Sequence, residues 1–250
     1  MSEPDFESLT PERGRATARE LLATVRPGDR SPAHRPYVLL NMVTTVDGRA
    51  TAGGRSGPIG GPGDQIMFWA LRELCDAVLI GTGTLRAERY GRLVRDPERR
   101  ARRVAAGLQA DPLVVLFARG LDLPWDAPLF GVPEQRVVVA CRTDAPEPPV
   151  TAASVSLVRL GKPTLVDALH ALRGSFGVRS VLCEGGPTLN HHLIASGLLD
   201  ELFLTLGPMV AGDSSAPGLL TGPALASPAR LELRWVLRHG DELFLRYALR

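Results

Sequence analysis

Apolar and polar residues fall in blocks along most of this chain, and the blocks have two different periods. YVLLNMV (37–43), DAVLIG (76–81), PLVVLFA (112–118), RVVVAC (136–141), VSLVRL (155–160) and VRSVLCEGG (178–186) are short apolar runs bounded by turn residues. Continuous runs of this length predict strands covered on both faces, the pattern of a largely parallel sheet. Helical spacing appears between them. GDQIMFWALREL (63–74) places Ile66, Trp69, Ala70 and Leu74 on one side, PTLVDALHALR (163–173) is a second helix, and PTLNHHLIASG (187–197) is a third, with Gly197 as its stop. DELFLTLGPMV (200–210) predicts another strand. RLELRWVL and ELFLRYAL, joined by RHGD, predict a closing antiparallel hairpin.

Residues 1 to about 35 break this rhythm. They are rich in Pro, Arg and Glu, and PERGRATARELLATV (11–25) has the spacing of an amphipathic helix that Pro27, Gly28, Pro32 and Pro36 then end. The expectation is an N-terminal arm over 1–35 and a single α/β domain over 36–250. The Pro-rich stretch 144–154 reads as a loop, because strands resume on the same pattern after it.

Composition narrows the class. With 44% hydrophobic and 22% charged residues over 250 positions, the chain has the balance of a globular protein, not a disordered or disulfide-stapled one. No apolar run is long enough to cross a bilayer, and the polar, acidic start is unlike a secretory signal, so a cytoplasmic protein is expected. The net charge of +2 arises from 29 basic and 27 acidic residues, too even to favour nucleic acid as a partner. Lys162 is the only lysine, so an anion site here must be built from arginine. Cys75, Cys141 and Cys183 lie in or beside apolar runs with no Cys-x-x-Cys spacing, and His191 and His192 are adjacent on a helix and point apart, so no metal site is predicted.

A parallel sheet binds ligands beyond the carboxyl ends of its strands. After 37–43 comes TTVDGRATAGGRSG, with a turn at Asp47-Gly48 and Ser56 in a glycine-rich loop. After 76–80 comes Gly81-Thr82-Gly83-Thr84. After 178–183 comes Glu184-Gly185-Gly186-Pro187-Thr188-Leu189. In the last of these, two glycines and a proline opening a helix give a turn whose N–H groups can hold a pyrophosphate. It matches neither the G-x-G-x-x-G fingerprint nor a P-loop. Glu184 either binds a hydroxyl or amine or caps the helix. Arg72 and Arg95 lie near strand–loop junctions where a phosphate could be clamped, whereas the basic run 99–103 reads as a solvated helix face. With G-x-S-x-G and zinc-deaminase signatures absent, an enzyme here would lean on an organic cofactor, and hydride transfer fits.

Three segments resemble one family in order. RPYVLLNMVTTVDGRAT, LRELCDAVLIGTGT and VLCEGGPTLNHHLIASGLLDELFLTLGPMVAGD are similar to the blocks of the riboflavin-pathway pyrimidine reductases, the RibD C-terminal domain family, from about Arg35 to the end. The resemblance implies a dihydrofolate-reductase-like α/β fold, mostly parallel with helices on both faces and a C-terminal antiparallel hairpin, in a homodimer. It implies a stand-alone reductase without the deaminase domain. Such an enzyme uses NADPH to reduce 5-amino-6-(5-phosphoribosylamino)uracil, with hydride delivered to C1 of the ring-opened ribose. By the same resemblance Thr44, Gly81, Gly83, Thr84, Arg119, Gly185, Gly186, Pro187, Thr188 and Leu189 face the cofactor, with Arg119 toward the 2′-phosphate. Ser56, Arg72 and Arg95 bind the substrate phosphate, and Glu184, Glu88 and Asn41 lie at the reacting end. Asp47 and Gly48 form a structural turn. The chain departs from the family at Asn41, where two-domain members carry Lys, at Glu88-Arg89-Tyr90, and at Pro58, where they carry Trp. Those changes keep two alternatives open: a related NADPH reductase with another substrate such as dihydrofolate, or a catalytically silent NADPH-binding paralogue.

Overall fold

The protein is described here from a computed structural model covering residues 5–250. In chain order its elements are β1 (Asp5–Thr10), β2 (Gly14–Thr17), α1 (Ala18–Leu22), β3 (Tyr37–Thr45), α2 (Pro62–Leu74), β4 (Ala77–Ile80), α3 (Thr82–Glu88), α4 (Pro97–Ala105) and β5 (Leu113–Phe117). They continue with β6 (Arg136–Arg142), β7 (Ser154–Leu160), α5 (Leu165–Ser175), β8 (Ser180–Cys183), α6 (Pro187–Ala195), β9 (Glu201–Gly207), β10 (Leu231–His239) and β11 (Glu242–Leu249). They fall into two compact units. One holds the chain up to Arg26 with Val38–Leu71 and Pro187–Arg250, and the other holds Pro27–Tyr37 with Arg72–Gly186.

The second unit carries the strands β8-β4-β5-β6-β7, every pair parallel. This is what the continuous apolar runs require. Each residue of β4 is buried, and Val137 to Cys141 of β6 are buried without alternation. Asp76 fixes the start of two strands at once, its carboxylate accepting from the Ser180 backbone N–H (2.9 Å) and hydroxyl (2.7 Å). The last turn of α2 and all of α4 are tied together by arginine. Arg103 is fully buried, and its guanidinium donates to the carbonyls of Arg72 (2.5 Å), Cys75 (2.8 Å) and Gln109 (2.9 Å). Arg99 and Arg102 both pair with Glu73. The expected solvated face over 99–103 is therefore corrected: three of its arginines close helix ends and bridge helices.

The first unit orders its strands β2-β1-β10-β11-β9-β3, antiparallel throughout except for β3 against β9. The closing hairpin forms as predicted, His239 facing Glu242 across Gly240-Asp241, with Gly240 at φ 59° as a two-residue turn demands. Alternation gives this sheet two different faces. Phe203, Trp235, Leu237, Phe244 and Ala248 are buried on one. The bidentate pair of Arg246 with Glu201 (2.9 and 3.0 Å) lies among them. On the other, Leu204, Leu206, Leu243, Leu245, Tyr247 and Leu249 are half-buried, and Leu231 and Leu233 are 43% and 45% exposed.

The helix expected over 11–25 shrinks to α1. Thr17 starts it with a capping box, its hydroxyl accepting from the Glu20 N–H (3.3 Å) while the Glu20 carboxylate accepts from the Thr17 N–H (2.8 Å). Before that point the chain is extended. β1 pairs with β10 and β2 with β1, and Phe6 is fully buried, edge-on to Phe244 with ring centroids 5.0 Å apart. Sheet pairing decides these residues, because DFESLT and GRAT carry too few apolar positions to show a period.

Candidate functional site

In the second unit the carboxyl ends of β4 and β8 meet in a knot of backbone. The Gly81 N–H donates to the Gly185 carbonyl at 2.6 Å. A Cβ on Gly81 would stand 2.7 Å from the Gly186 nitrogen, and one on Gly186 would stand 2.9 Å from the Thr84 hydroxyl oxygen. Gly185 adopts φ 84°, and the Gly185–Gly186 peptide is cis. Side chains are thus excluded from Gly81 and Gly186 by close approach, and from Gly185 by its backbone conformation. Gly81, Thr84, Gly185 and Gly186 are brought together. Gly83 is exposed on the first turn of α3, with open space where a Cβ would be. The turn leads directly into α6, whose Pro187 is half-buried, Thr188 exposed and Leu189 buried.

Beside the knot lies a buried charge pair. Arg72 Nε donates to Glu184 Oε1 at 2.6 Å and Nη2 to Oε2 at 2.8 Å, while Nη1 donates to the Leu93 carbonyl at 2.7 Å. Their relative exposures are 7% and 6%. Burial opposes the Arg72 charge, but the Glu184 carboxylate outweighs it and the guanidinium is held more basic than usual. The two residues are 112 positions apart in the chain, and the sequence treated them as separate functions, a phosphate clamp and an acid. The fold makes them one unit.

Tyr90 completes it, and no periodicity pointed there. Its ring lies against the Arg72 guanidinium, 5.6 Å from centroid to carbon. Burial and the Glu184 charge push the phenol well above its ordinary range, so it stays neutral. Glu88, half-buried, ends α3 just before it. Arg95 is exposed, and Arg92 is paired with Asp111 at 2.6 Å. Arg119 is exposed two residues past β5, its carbonyl accepting from the Arg142 N–H at 3.0 Å.

The remaining predicted residues sit on the first unit. Asn41 and Thr44, 8% and 4% exposed, lie on β3 opposite Phe203 and Leu206 of β9. Asp47 and Gly48 follow in a tight turn, Gly48 at φ 80° with its N–H donating to the Thr45 carbonyl at 2.9 Å. The Asp47 carboxylate accepts from the Thr45 hydroxyl (2.6 Å) and from the N–H groups of Ala211 (3.0 Å) and Gly212 (2.9 Å), and these bonds hold it far below the usual carboxylate range. Ser56 is half-buried, its carbonyl accepting from the Ile59 N–H at 2.9 Å.

The sequence model of the RibD C-terminal domain matches residues 36–245. The chain belongs to the RibD C-terminal domain family. Among its relatives is the 2,5-diamino-6-ribosylamino-4(3H)-pyrimidinone 5′-phosphate reductase of Methanothermobacter thermautotrophicus. That protein is 28% identical over 86% of this chain and 99% of its own length. The reductase of the same name from Archaeoglobus fulgidus is 30% identical over 79% of this chain and 92% of its own. Among solved structures, a pyrimidine reductase-like protein of Corynebacterium diphtheriae superposes with a TM-score of 0.77 at 22% identity, covering 94% of this chain and 99% of that one. This likeness establishes the dihydrofolate-reductase-like α/β fold. Family membership makes the chain an oxidoreductase of the pyrimidine-reductase type, a class that works with a nicotinamide cofactor. Among the described residues no helix is long and apolar enough to cross a membrane.

Proposed function

We propose that this chain reduces a phosphorylated ribosylaminopyrimidine of riboflavin biosynthesis with NADPH. The observation that carries the reading is the buried Arg72–Glu184 pair set against the glycine knot of Gly81, Gly185 and Gly186. The knot is the element that fits a dinucleotide. It brings two strand ends together without side chains and opens into the first turn of a nine-residue helix, the kind of end that suits a pyrophosphate. Gly83, Thr84, Pro187, Thr188 and Leu189 frame the same segments, and Thr44 is assigned to the cofactor on β3. Bound nicotinamide supplies a hydride.

Glu184 offers the acceptor a carboxylate whose orientation Arg72 fixes at two points, which is how a hydroxyl or amine is held in one register. Asn41 and Glu88 are assigned to the same reacting end. C1 of the ring-opened ribose, an imine to the pyrimidine-borne nitrogen, is the carbon reduced, and that nitrogen takes a proton. Arg95, exposed, is assigned to the substrate phosphate, and Ser56 is proposed as a hydroxyl donor to it. Arg72 is already committed to Glu184 and the Leu93 carbonyl, so the phosphate role expected of it passes to Arg95. Arg119 is assigned to the 2′-phosphate that distinguishes NADPH from NADH.

Three buried free thiols suit a reducing compartment, and the cytoplasm is the proposed location. A second copy of the chain is proposed to cover the half-buried apolar face of β9, β10 and β11, since a soluble monomer rarely leaves such a face open.

The test is the loss of NADPH absorbance with three acceptors in parallel: 5-amino-6-(5-phosphoribosylamino)uracil, the 2,5-diamino pyrimidinone phosphate named for the relatives, and dihydrofolate. Turnover with either pyrimidine is the expected result, and the faster of the two names the substrate. Turnover with dihydrofolate alone, or with none, overturns the proposal.

A further inference from the structure

The connection from β9 to β10, residues 208–230, contains neither helix nor strand. Connections of this length inside a compact domain are uncommon and usually functional. This one is fastened in two places, both within the first unit. Its first half lies on the turn after β3. There the Val46 N–H donates to the Met209 carbonyl (2.8 Å), and the Asp47 carboxylate accepts from the Ala211 and Gly212 N–H groups (3.0 and 2.9 Å). Arg49 Nη1 donates to the Ala216 carbonyl (3.1 Å) and the Ala50 N–H to the Pro217 carbonyl (2.8 Å). Its second half lies on the first turns of α6. Asn190 Nδ2 donates to the Leu219 carbonyl (3.0 Å), the Thr221 N–H donates to the Pro187 carbonyl (3.1 Å), and His191 Nε2 stands 2.7 Å from the Pro223 carbonyl. A carbonyl only accepts, so that ring nitrogen carries the proton. The imidazole also packs on bare backbone, because a Cβ on Gly222 would stand 2.4 Å from it. Gly218 alone separates the two sets of bonds.

We propose that the 208–230 connection is a tie between the β3 turn and α6, and that Asp47 and His191, at its two ends, are positioning residues for the dinucleotide: they hold the first turn of α6 at the spacing from β3 that the cofactor needs. The inference rests on the proposed cofactor reading, which assigns Thr44 on β3 and Pro187 and Thr188 on α6 to NADPH. Neither Asp47 nor His191 has to touch the ligand. Pro187 is the first residue of α6, so the bond from Thr221 to its carbonyl fixes the point at which the helix opens. A helix end free to shift would have to be ordered as the dinucleotide binds, and that ordering weakens binding. Once the cofactor is in place the turn is ordered either way, so the loss falls on affinity and not on hydride transfer.

Two substitutions test this, one at each end. His191→Phe keeps a ring against Gly222 and removes the donor to Pro223. Asp47→Asn keeps the shape and removes the charged acceptor from the Ala211 and Gly212 N–H groups. Titration of NADPH fluorescence is expected to give each single variant a Kd about fivefold above the parent's, with kcat at saturating NADPH within about twofold. A tie holds only while both ends are fastened, so the double variant is expected to match the weaker-binding single variant. Independent local effects would instead multiply to about 25-fold. A double-variant loss near that product overturns the inference. Unchanged Kd values in the single variants overturn it too, as does a fall in kcat as large as the loss in affinity. Should either variant fail to fold, Arg49→Met cuts the first end at the Ala216 carbonyl, and Gly222→Ala forces the second end off the His191 ring. A parent chain that does not bind NADPH overturns the cofactor reading and this inference with it, whereas binding by the parent with losses that multiply overturns the inference alone.

Discussion

Asp64 should be a destabilising residue at neutral pH. It sits in the first turn of α2, and burial pushes its carboxyl up from 3.8 to about 6. A hydrogen bond from Thr205 pulls the other way, and the neighbouring Glu242 carboxylate adds to the rise. Glu242 reaches α2 from the closing hairpin and takes the helix's free donors, accepting from the N–H groups of Gly61 (2.7 Å), Gly63 (2.9 Å) and Asp64 (3.3 Å). The favourable site for a negative charge at this helix end is thus already filled, and Asp64 faces that charge without the donors. His239 stands on the far side of Glu242, its Nδ1 at 4.0 Å from Oε2.

The folded chain holds the Asp64 proton more tightly than the unfolded chain does. The favourable contribution is complete below the unfolded value near 4 and is lost as pH rises through about 6. Roughly two pH units at about 1.4 kcal/mol each give about 3 kcal/mol, an upper figure because the residue is only half-buried. Asp64→Asn keeps the shape and removes the charge. Urea denaturation should find the variant more stable than the parent by about 1–3 kcal/mol near pH 8 and indistinguishable from it near pH 4. A gain of equal size at both pH values, or a loss near pH 8, would refute the reasoning.

Gly81→Ala should lower stability by about 2 kcal/mol or more and weaken NADPH binding, since the new methyl would meet backbone at 2.7 Å; calorimetry and cofactor titration would check it. Arg119→Ala should raise the Kd for NADPH by about tenfold and leave that for NADH unchanged; equal losses for both would remove Arg119 from the 2′-phosphate. Leu245→Arg, on the half-buried face of β11, should shift the chain from dimer to monomer in light scattering while circular dichroism stays the same; a parent chain that is itself monomeric would refute the proposed interface.

β4, β5, β6 and β8 were legible because burial on both faces removes polar residues from a run, and that leaves a mark in any single sequence. So was the closing hairpin, through its Gly240-Asp241 turn. β1 and β2 left no such mark, because their strand state comes from hydrogen bonds to β10. The arginines of α4 looked like a solvated face because composition cannot show that Glu73 and three backbone carbonyls are waiting for them. At the site, the glycines were legible for a physical reason, since close backbone approach tolerates nothing else. Arg72 and Glu184 were each singled out, yet the pairing between them exists only after folding. Tyr90 carries no local signature, and only the turn at Arg89 directs it.

The family match opens at residue 36, yet Phe6 is fully buried against Phe244 and β1 hydrogen-bonds along β10. An expression boundary drawn where the homology starts would strip β10 of its neighbour. It would leave a row of unsatisfied backbone donors and acceptors beside the hole vacated by an aromatic ring. That is the surface on which chains add to one another edge to edge. The span of the family's sequence pattern and mechanical integrity thus mark out different segments of this polypeptide, and a fragment cut to the first is expected to precipitate.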